Sequence, residues 1–185
     1  MSYNDFLEPL ISSISYPSAK LLNSSQQLIE ICGAEEQEIK NTLKEFKFYI
    51  ENESLETLKE NFINTFDLKA MACLDIGYVL FGEDYKRGAF LVEIQRLQKQ
   101  FGVDTGTELP DHLPNFLKLL IKLPENEEKK ELVEKILMPA LSKILESFER
   151  ERNTKNYYRF PLLALKMLTE KEFKMNDTVL KGVYL

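Results

Sequence analysis

Seven consecutive residues, Glu108-Leu109-Pro110-Asp111-His112-Leu113-Pro114, set the only histidine of the chain beside a carboxylate and between two prolines. Proline fixes its own φ and restrains the residue before it, so this loop enters the following apolar segment in a restricted geometry. Three chemistries suit it. Asp111 and His112 form a polar clamp, the carboxylate meeting a cation and the imidazole orienting it. Alternatively, Asp111 caps the next helix, although Pro114 has no amide and only the Leu113 N–H is within reach. The third option, His112 acting as a base with Asp111, is disfavoured because adjacent residues on a turn rarely point at one another.

The other chemistry-bearing residues are sparse. One histidine excludes a multi-histidine metal site within the chain. Cys32 and Cys73 are far apart, form no C-x-x-C motif, and read as two reduced thiols in a helical core. The phosphate-loop, dinucleotide, nucleophile-elbow and H-E-x-x-H patterns are all missing. No catalytic residue, metal ligand or cofactor is expected, and the chain reads as a non-enzyme.

The elements that position the Pro-Asp-His loop are helices. Ile39, Leu43, Phe46 and Ile50 step by four, three and four, and Leu55, Leu58, Phe62 and Phe66 repeat the pattern after Ser54, a plausible N-cap. Asp67 is the next candidate cap. It opens an apolar stretch, Leu68 to Phe81, that ends at Gly82 and predicts a central helix with apolar residues nearly all round. Phe90, Ile94, Leu97 and Phe101 mark another helix, stopped at Gly102. Phe116, Leu117, Leu120 and Ile121 mark the one that follows the loop. The run Glu125 to Lys130 reads as a solvated first turn. Leu132, Ile136 and Leu137 lead to a break or kink at Pro139, and Leu141, Ile144, Leu145 and Phe148 take over. Tyr157 to Leu168 forms a last amphipathic segment. Before all these, Phe6, Leu10 and Ile14 form a short helix interrupted at Pro17, and Leu21 to Ile31 restarts it before Gly33.

No strand alternation, repeat or low-complexity linker accompanies these stripes. The expectation is one all-α globular domain over 1–185, with a loose tail from about residue 177. Seven glycines in 185 residues also argue against turn-rich β folds. Thirty acidic against 24 basic residues give a net charge of −6, which argues against general nucleic-acid binding. No apolar run approaches the roughly 18 residues of a membrane span, and Met1–Asp5 lacks a basic leader, so a cytoplasmic protein without membrane insertion is expected.

Phe66-Asp67, Gly82-Glu83, Arg87-Gly88 and Glu108-Leu-Pro-Asp-His-Leu-Pro114, in that order, resemble the NarJ-type chaperones that assemble respiratory nitrate reductase. These sit within a wider family of helical chaperones for molybdenum enzymes marked by a Pro-Asp-His motif after a short acidic lead. The similarity runs from about Asn61 to Pro124, with weaker agreement in helix spacing through Leu168. One departure is Phe81, before Gly82, where many relatives place a histidine.

What this resemblance implies is a non-enzymatic cytoplasmic chaperone. It would bind the N-terminal peptide of a molybdoenzyme catalytic subunit and hold that subunit open for insertion of the molybdenum cofactor. Asp111 and His112 match the functional pair of the motif, and Glu108, Pro110 and Pro114 match its frame. The 68–81 helix matches the one lining the peptide groove, which nominates Leu74, Tyr78 and Phe81, with Phe116 as a further apolar contact. The chain itself is expected to bind no cofactor and to be a monomer, a helix-swapped dimer being the alternative. An amphipathic peptide seated in a groove suits the helix-in-groove mode, and the net charge favours one carrying Lys or Arg. The competing reading is a helical regulatory or scaffold module with no cofactor-linked client.

Overall fold

The computed structural model of the chain describes residues 2–67, 72–150 and 156–174. Ten α-helices follow one another among these residues: α1 (Tyr3–Ser13), α2 (Leu21–Ile31), α3 (Gln37–Glu51), α4 (Leu55–Phe66), α5 (Ile76–Phe81), α6 (Tyr85–Gln100), α7 (Leu113–Lys122), α8 (Glu127–Leu132), α9 (Met138–Arg150) and α10 (Arg159–Glu172). No strand occurs among the described residues, and the only β pairing there is a single antiparallel bridge between Asp75 and His112. The all-α expectation holds.

The stripes read from the sequence become buried faces. Ile39, Leu43, Phe46 and Ile50 are the buried residues of α3, and Ser54 caps α4 by accepting a hydrogen bond from the Thr57 amide at 3.1 Å. One continuous hydrophobic core links helices from both ends of the chain. α1 packs on α2, α7 and α10, while α3 packs on α2 and α10. The most buried helix is α7, from which Leu113, Pro114, Asn115, Phe116, Leu117, Leu119 and Leu120 all face inward. An aromatic cluster of Phe46, Phe62, Phe66 and Tyr158 fills one side, and the Tyr158 hydroxyl donates to the Leu58 carbonyl at 3.2 Å. That partner satisfies the one polar atom of an otherwise apolar ring.

Several local expectations are corrected. The helix expected from Leu68 to Phe81 is only α5, six residues long; Ala72 to Asp75 are extended or bent, and 68–71 lie outside the described residues. The cause is tertiary: Leu74 and Asp111 each accept a backbone hydrogen bond across the bridge, from Leu113 at 2.8 Å and from Ile76 at 3.0 Å. Those bonds take carbonyls and amides that a helix would have used internally. Nor is α5 the central helix: Tyr78 is exposed and Val79, Leu80 and Phe81 are half-buried. Asp67 closes α4, its amide donating to the Ile63 carbonyl at 2.9 Å, and the amides that it is expected to cap lie outside the described residues; Asp84 is the N-cap of α6.

At Pro139 the backbone does not break. A π turn over Val133–Leu137 joins α8 to α9, and the Met138 amide donates to the carbonyl of Val133, five residues back. Widening the turn just ahead of proline accommodates the missing N–H and the ring without ending the helix. Finally, Lys129 in the supposedly solvated run is fully buried, its ammonium paired with Glu125 and 3.3 Å from Asn4 Oδ1 on α1. Cys32 is buried at the end of α2, whereas Cys73 is half-buried and outside any helix; both are free thiols. The expected loose tail lies outside the described residues.

Candidate functional site

The Pro-Asp-His loop is held from beneath before its polar groups are placed. Gln98 of α6 donates to the Pro110 carbonyl at 2.9 Å, and Asn115 of α7 donates to the carbonyls of Thr105 and Leu109 at 3.0 and 3.1 Å. His112 is the N-cap residue of α7, but neither its side chain nor that of Asp111 caps the helix. The capping alternative for Asp111 is therefore overturned. The main-chain carbonyl of His112 starts the helix instead, accepting from Asn115 and Phe116.

Both side chains turn toward α5 and α6. Arg87 of α6 donates from Nε and Nη2 to Asp111 Oδ2, each at 3.3 Å, and from Nη2 to Asp75 Oδ2 at 3.4 Å. His112 Nδ1 lies 3.1 Å from Asp75 Oδ1. A chain of four polar groups thus runs Asp111, Arg87, Asp75, His112, joining the loop to the entrance of α5 and the first turns of α6. Asp111 is completely buried, and its Oδ1 has no hydrogen-bond partner among the described residues. Burial, with the nearby Asp75 charge second, pushes its carboxyl above the usual range, and Arg87 opposes both.

Gly77 makes this packing possible. A Cβ at that position would lie 2.6 Å from Asp111 Oδ2 and 2.9 Å from Phe90 Cδ1, closer than nonbonded atoms tolerate. Only a residue without a side chain lets α5 approach the buried carboxylate. On the next residue, the Tyr78 ring faces outward, 44% exposed, with the Arg87 guanidinium 5.3 Å from its centroid. This is cation–π distance.

Tyr78 also forms one wall of a groove between α5 and α9, about 350 Å³ in volume, shared with Cys73, Val79, Ile144, Lys143 and Arg150. Lys143 reaches the carbonyls of Val79 and Leu80 at 3.5 Å, at the C-terminal end of α5. Arg150 and Glu146 are within 4.0 Å of each other. The groove lining therefore mixes apolar side chains with two cations and one carboxylate, and the chain-wide net charge of −6 does not describe it.

The residues singled out from the sequence separate by depth. Leu74, Asp111, Pro114 and Phe116 are interior. Tyr78 and Glu108 are exposed, and Phe81, Pro110 and His112 are half-buried, Phe81 packing its ring 5.7 Å from that of Phe90. The structure brings Asp111 and His112 into one network through Asp75 and Arg87. It does not bring Phe116 to a surface. Sequence reasoning missed Asp75, Gly77, Gln98 and Asn115, and noted Arg87 only as half of an Arg-Gly pair. One signal was available: a glycine inside an otherwise bulky apolar run, Ile76-Gly77-Tyr78, commonly marks a close approach.

The described residues contain no cluster of His, Cys, Asp and Glu fit to hold a metal, and no helix long and apolar enough to cross a membrane. No protein-family model matches the chain. Among curated proteins, it is 26% identical over 154 residues to the nitrate reductase molybdenum cofactor assembly chaperone NarJ of Escherichia coli K12, covering 81% of this chain and 64% of the relative. The same protein from Escherichia coli O157:H7 matches to the same extent. The chain spans a little under two thirds of the length of these relatives. The similarity to these two relatives thus runs along most of this chain, well beyond the Pro-Asp-His loop.

Proposed function

We propose that this protein is a cytoplasmic, non-enzymatic chaperone that supports molybdenum cofactor insertion into the catalytic subunit of a molybdoenzyme, with respiratory nitrate reductase as the client. The observation carrying this reading is the similarity to NarJ over 81% of the chain, which extends well beyond the Pro-Asp-His segment. The chaperone takes the N-terminal peptide of that subunit as an amphipathic helix and carries no cofactor of its own. It works as a monomer.

The groove between α5 and α9 supports peptide binding physically. Tyr78, Val79 and Ile144 offer apolar contact, while Lys143, Glu146 and Arg150 supply a polar rim. Helix-in-groove recognition needs this combination of apolar anchors with a rim that fixes register. In this reading Tyr78 and Phe81 touch the peptide, and Glu108 and His112 flank it. Leu74, Pro110, Asp111, Pro114 and Phe116 hold the frame from below. Asp111 acts indirectly, because the cation it meets is Arg87 of the same chain.

The test is calorimetric titration of a peptide spanning about the first 20 residues of a nitrate reductase catalytic subunit. Saturable binding that Tyr78→Ala weakens roughly tenfold is expected, as for loss of one buried aromatic anchor. A wild-type protein that ignores the peptide, or binds it equally well after the change, overturns the peptide-binding reading.

A further inference from the structure

We propose that Arg87 is a positioning residue: through its bridge between Asp75 and Asp111 it fixes the ring of Tyr78 at the groove wall. Four contacts carry this. Two charge-assisted hydrogen bonds run to Asp111 Oδ2, one runs to Asp75 Oδ2, and the guanidinium stands 5.3 Å from the Tyr78 centroid. The guanidinium is thus anchored on its edge by two carboxylates, which leaves its planar face for the ring. Arg87 is largely buried, with 22% of its side chain exposed, whereas the ring it supports is 44% exposed.

An exposed tyrosine normally samples several rotamers, and holding it in one costs entropy at the moment of binding. Arg87 removes that cost in advance. It also makes the Pro-Asp-His loop and the groove parts of one device: Asp111 acts on the groove wall through Arg87, and His112 is joined to the same bridge through Asp75. Lysine cannot substitute in this role. It keeps a positive charge facing Asp111 but has neither the fork that spans two carboxylates nor the flat face.

The link to peptide binding rests on the function proposed above; the placement of the ring does not. The experiment therefore reads both, using the full chain with tyrosine rings carbon-13 labelled and Tyr78 assigned by Tyr78→Phe. In Arg87→Lys the Tyr78 ring resonances should move toward values of a free tyrosine, while the thermal midpoint stays close to wild type. Affinity for the catalytic-subunit peptide should fall about three- to tenfold, the size of a partly desolvated cation–π contact. Added to Tyr78→Leu, the same change should cost nothing further.

Ring resonances that do not move, or affinity losses that add in the double variant, overturn the proposal. Should Arg87→Lys fail to fold, Asp75→Asn decides. It replaces one of the two carboxylates that anchor the guanidinium, 29% exposed, with a neutral amide, and the Tyr78 resonances should shift in the same direction. Unmoved resonances there also overturn it. If wild type binds no peptide, the function proposal fails and the ring resonances alone judge the positioning role.

Discussion

His112 Nδ1 lies 3.1 Å from Oδ1 of Asp75, a residue 37 positions earlier in the chain, and the same two residues share the antiparallel backbone bridge. Side chain and main chain therefore tie the start of α7 to the start of α5 at one point. A carboxylate oxygen accepts, so the imidazole donates from Nδ1–H and is oriented by that bond. A histidine that looked, in sequence, like the partner of its neighbour Asp111 is the partner of a residue on another element. Asp111 in turn faces Arg87, so two adjacent residues hold two different helices.

Gly77→Ala should destabilise the protein by about 1–3 kcal/mol, the usual cost of forcing an extra methyl into a packed site. The new Cβ meets the buried Asp111 carboxylate and the Phe90 ring, neither of which is the free end of a flexible chain. Urea unfolding followed by circular dichroism gives the shift in midpoint. An unchanged midpoint would mean that α5 is not seated against Asp111.

Asp111 makes stability depend on pH in a defined direction. Its folded-state pKa is raised, chiefly by burial, so between the unfolded value of about 3.9 and the higher folded value the native state holds more protons than the unfolded one. Stability contributed by this group is therefore lost as pH rises through that window. Asp111→Asn cannot ionise and should lack this loss, so its stability relative to wild type should improve from about pH 3.5 to pH 7. Denaturant midpoints of both proteins across that range check the sign. A relative stability that falls with pH would mean that the bridge to Arg87 outweighs burial.

Lys129 should tolerate loss of its charge but not reversal. Its partner Glu125 is 72% exposed and returns to water when the lysine is removed, so no buried charge is stranded. Lys129→Met, close in length and apolar, should leave stability within about 1 kcal/mol of wild type, or raise it. Lys129→Glu places a carboxylate in the same buried position and should cost about 3 kcal/mol or more. Thermal melts of the two variants separate these outcomes; equal and small effects would place the side chain in solvent.

Much of the fold is legible in the sequence because helix stripes are local. Ile39 to Ile50 and Phe116 to Leu120 repeat at three and four residues, and any helix through them gathers those side chains on one side. Ser54 and Gly102 punctuate the chain through equally local effects, a side-chain cap and a positive φ of 64°. The apolar run into Phe81 misleads for the same reason. Its pattern is that of a buried helix, and nothing local reveals that Leu74 and Ile76 bond across to the Pro-Asp-His loop.

The sequence by itself determined an all-α chain, most of its helix boundaries, and the Pro-Asp-His loop as the place where unusual chemistry gathers. Only the tertiary structure decided what that chemistry faces. Asp75 stands 12 positions from Arg87, and Arg87 stands 24 from Asp111. No helical or strand period joins residues at such separations; they meet because α5, α6 and α7 pack together. Burial was decided in the same way. A lysine in a charged run and an aspartate between prolines are both solvent-exposed by residue type, and both became interior only when α1 and α6 were laid over them. Periodicity is a property of neighbours along the chain, whereas desolvation and ion pairing depend on which faces the packed helices turn to one another.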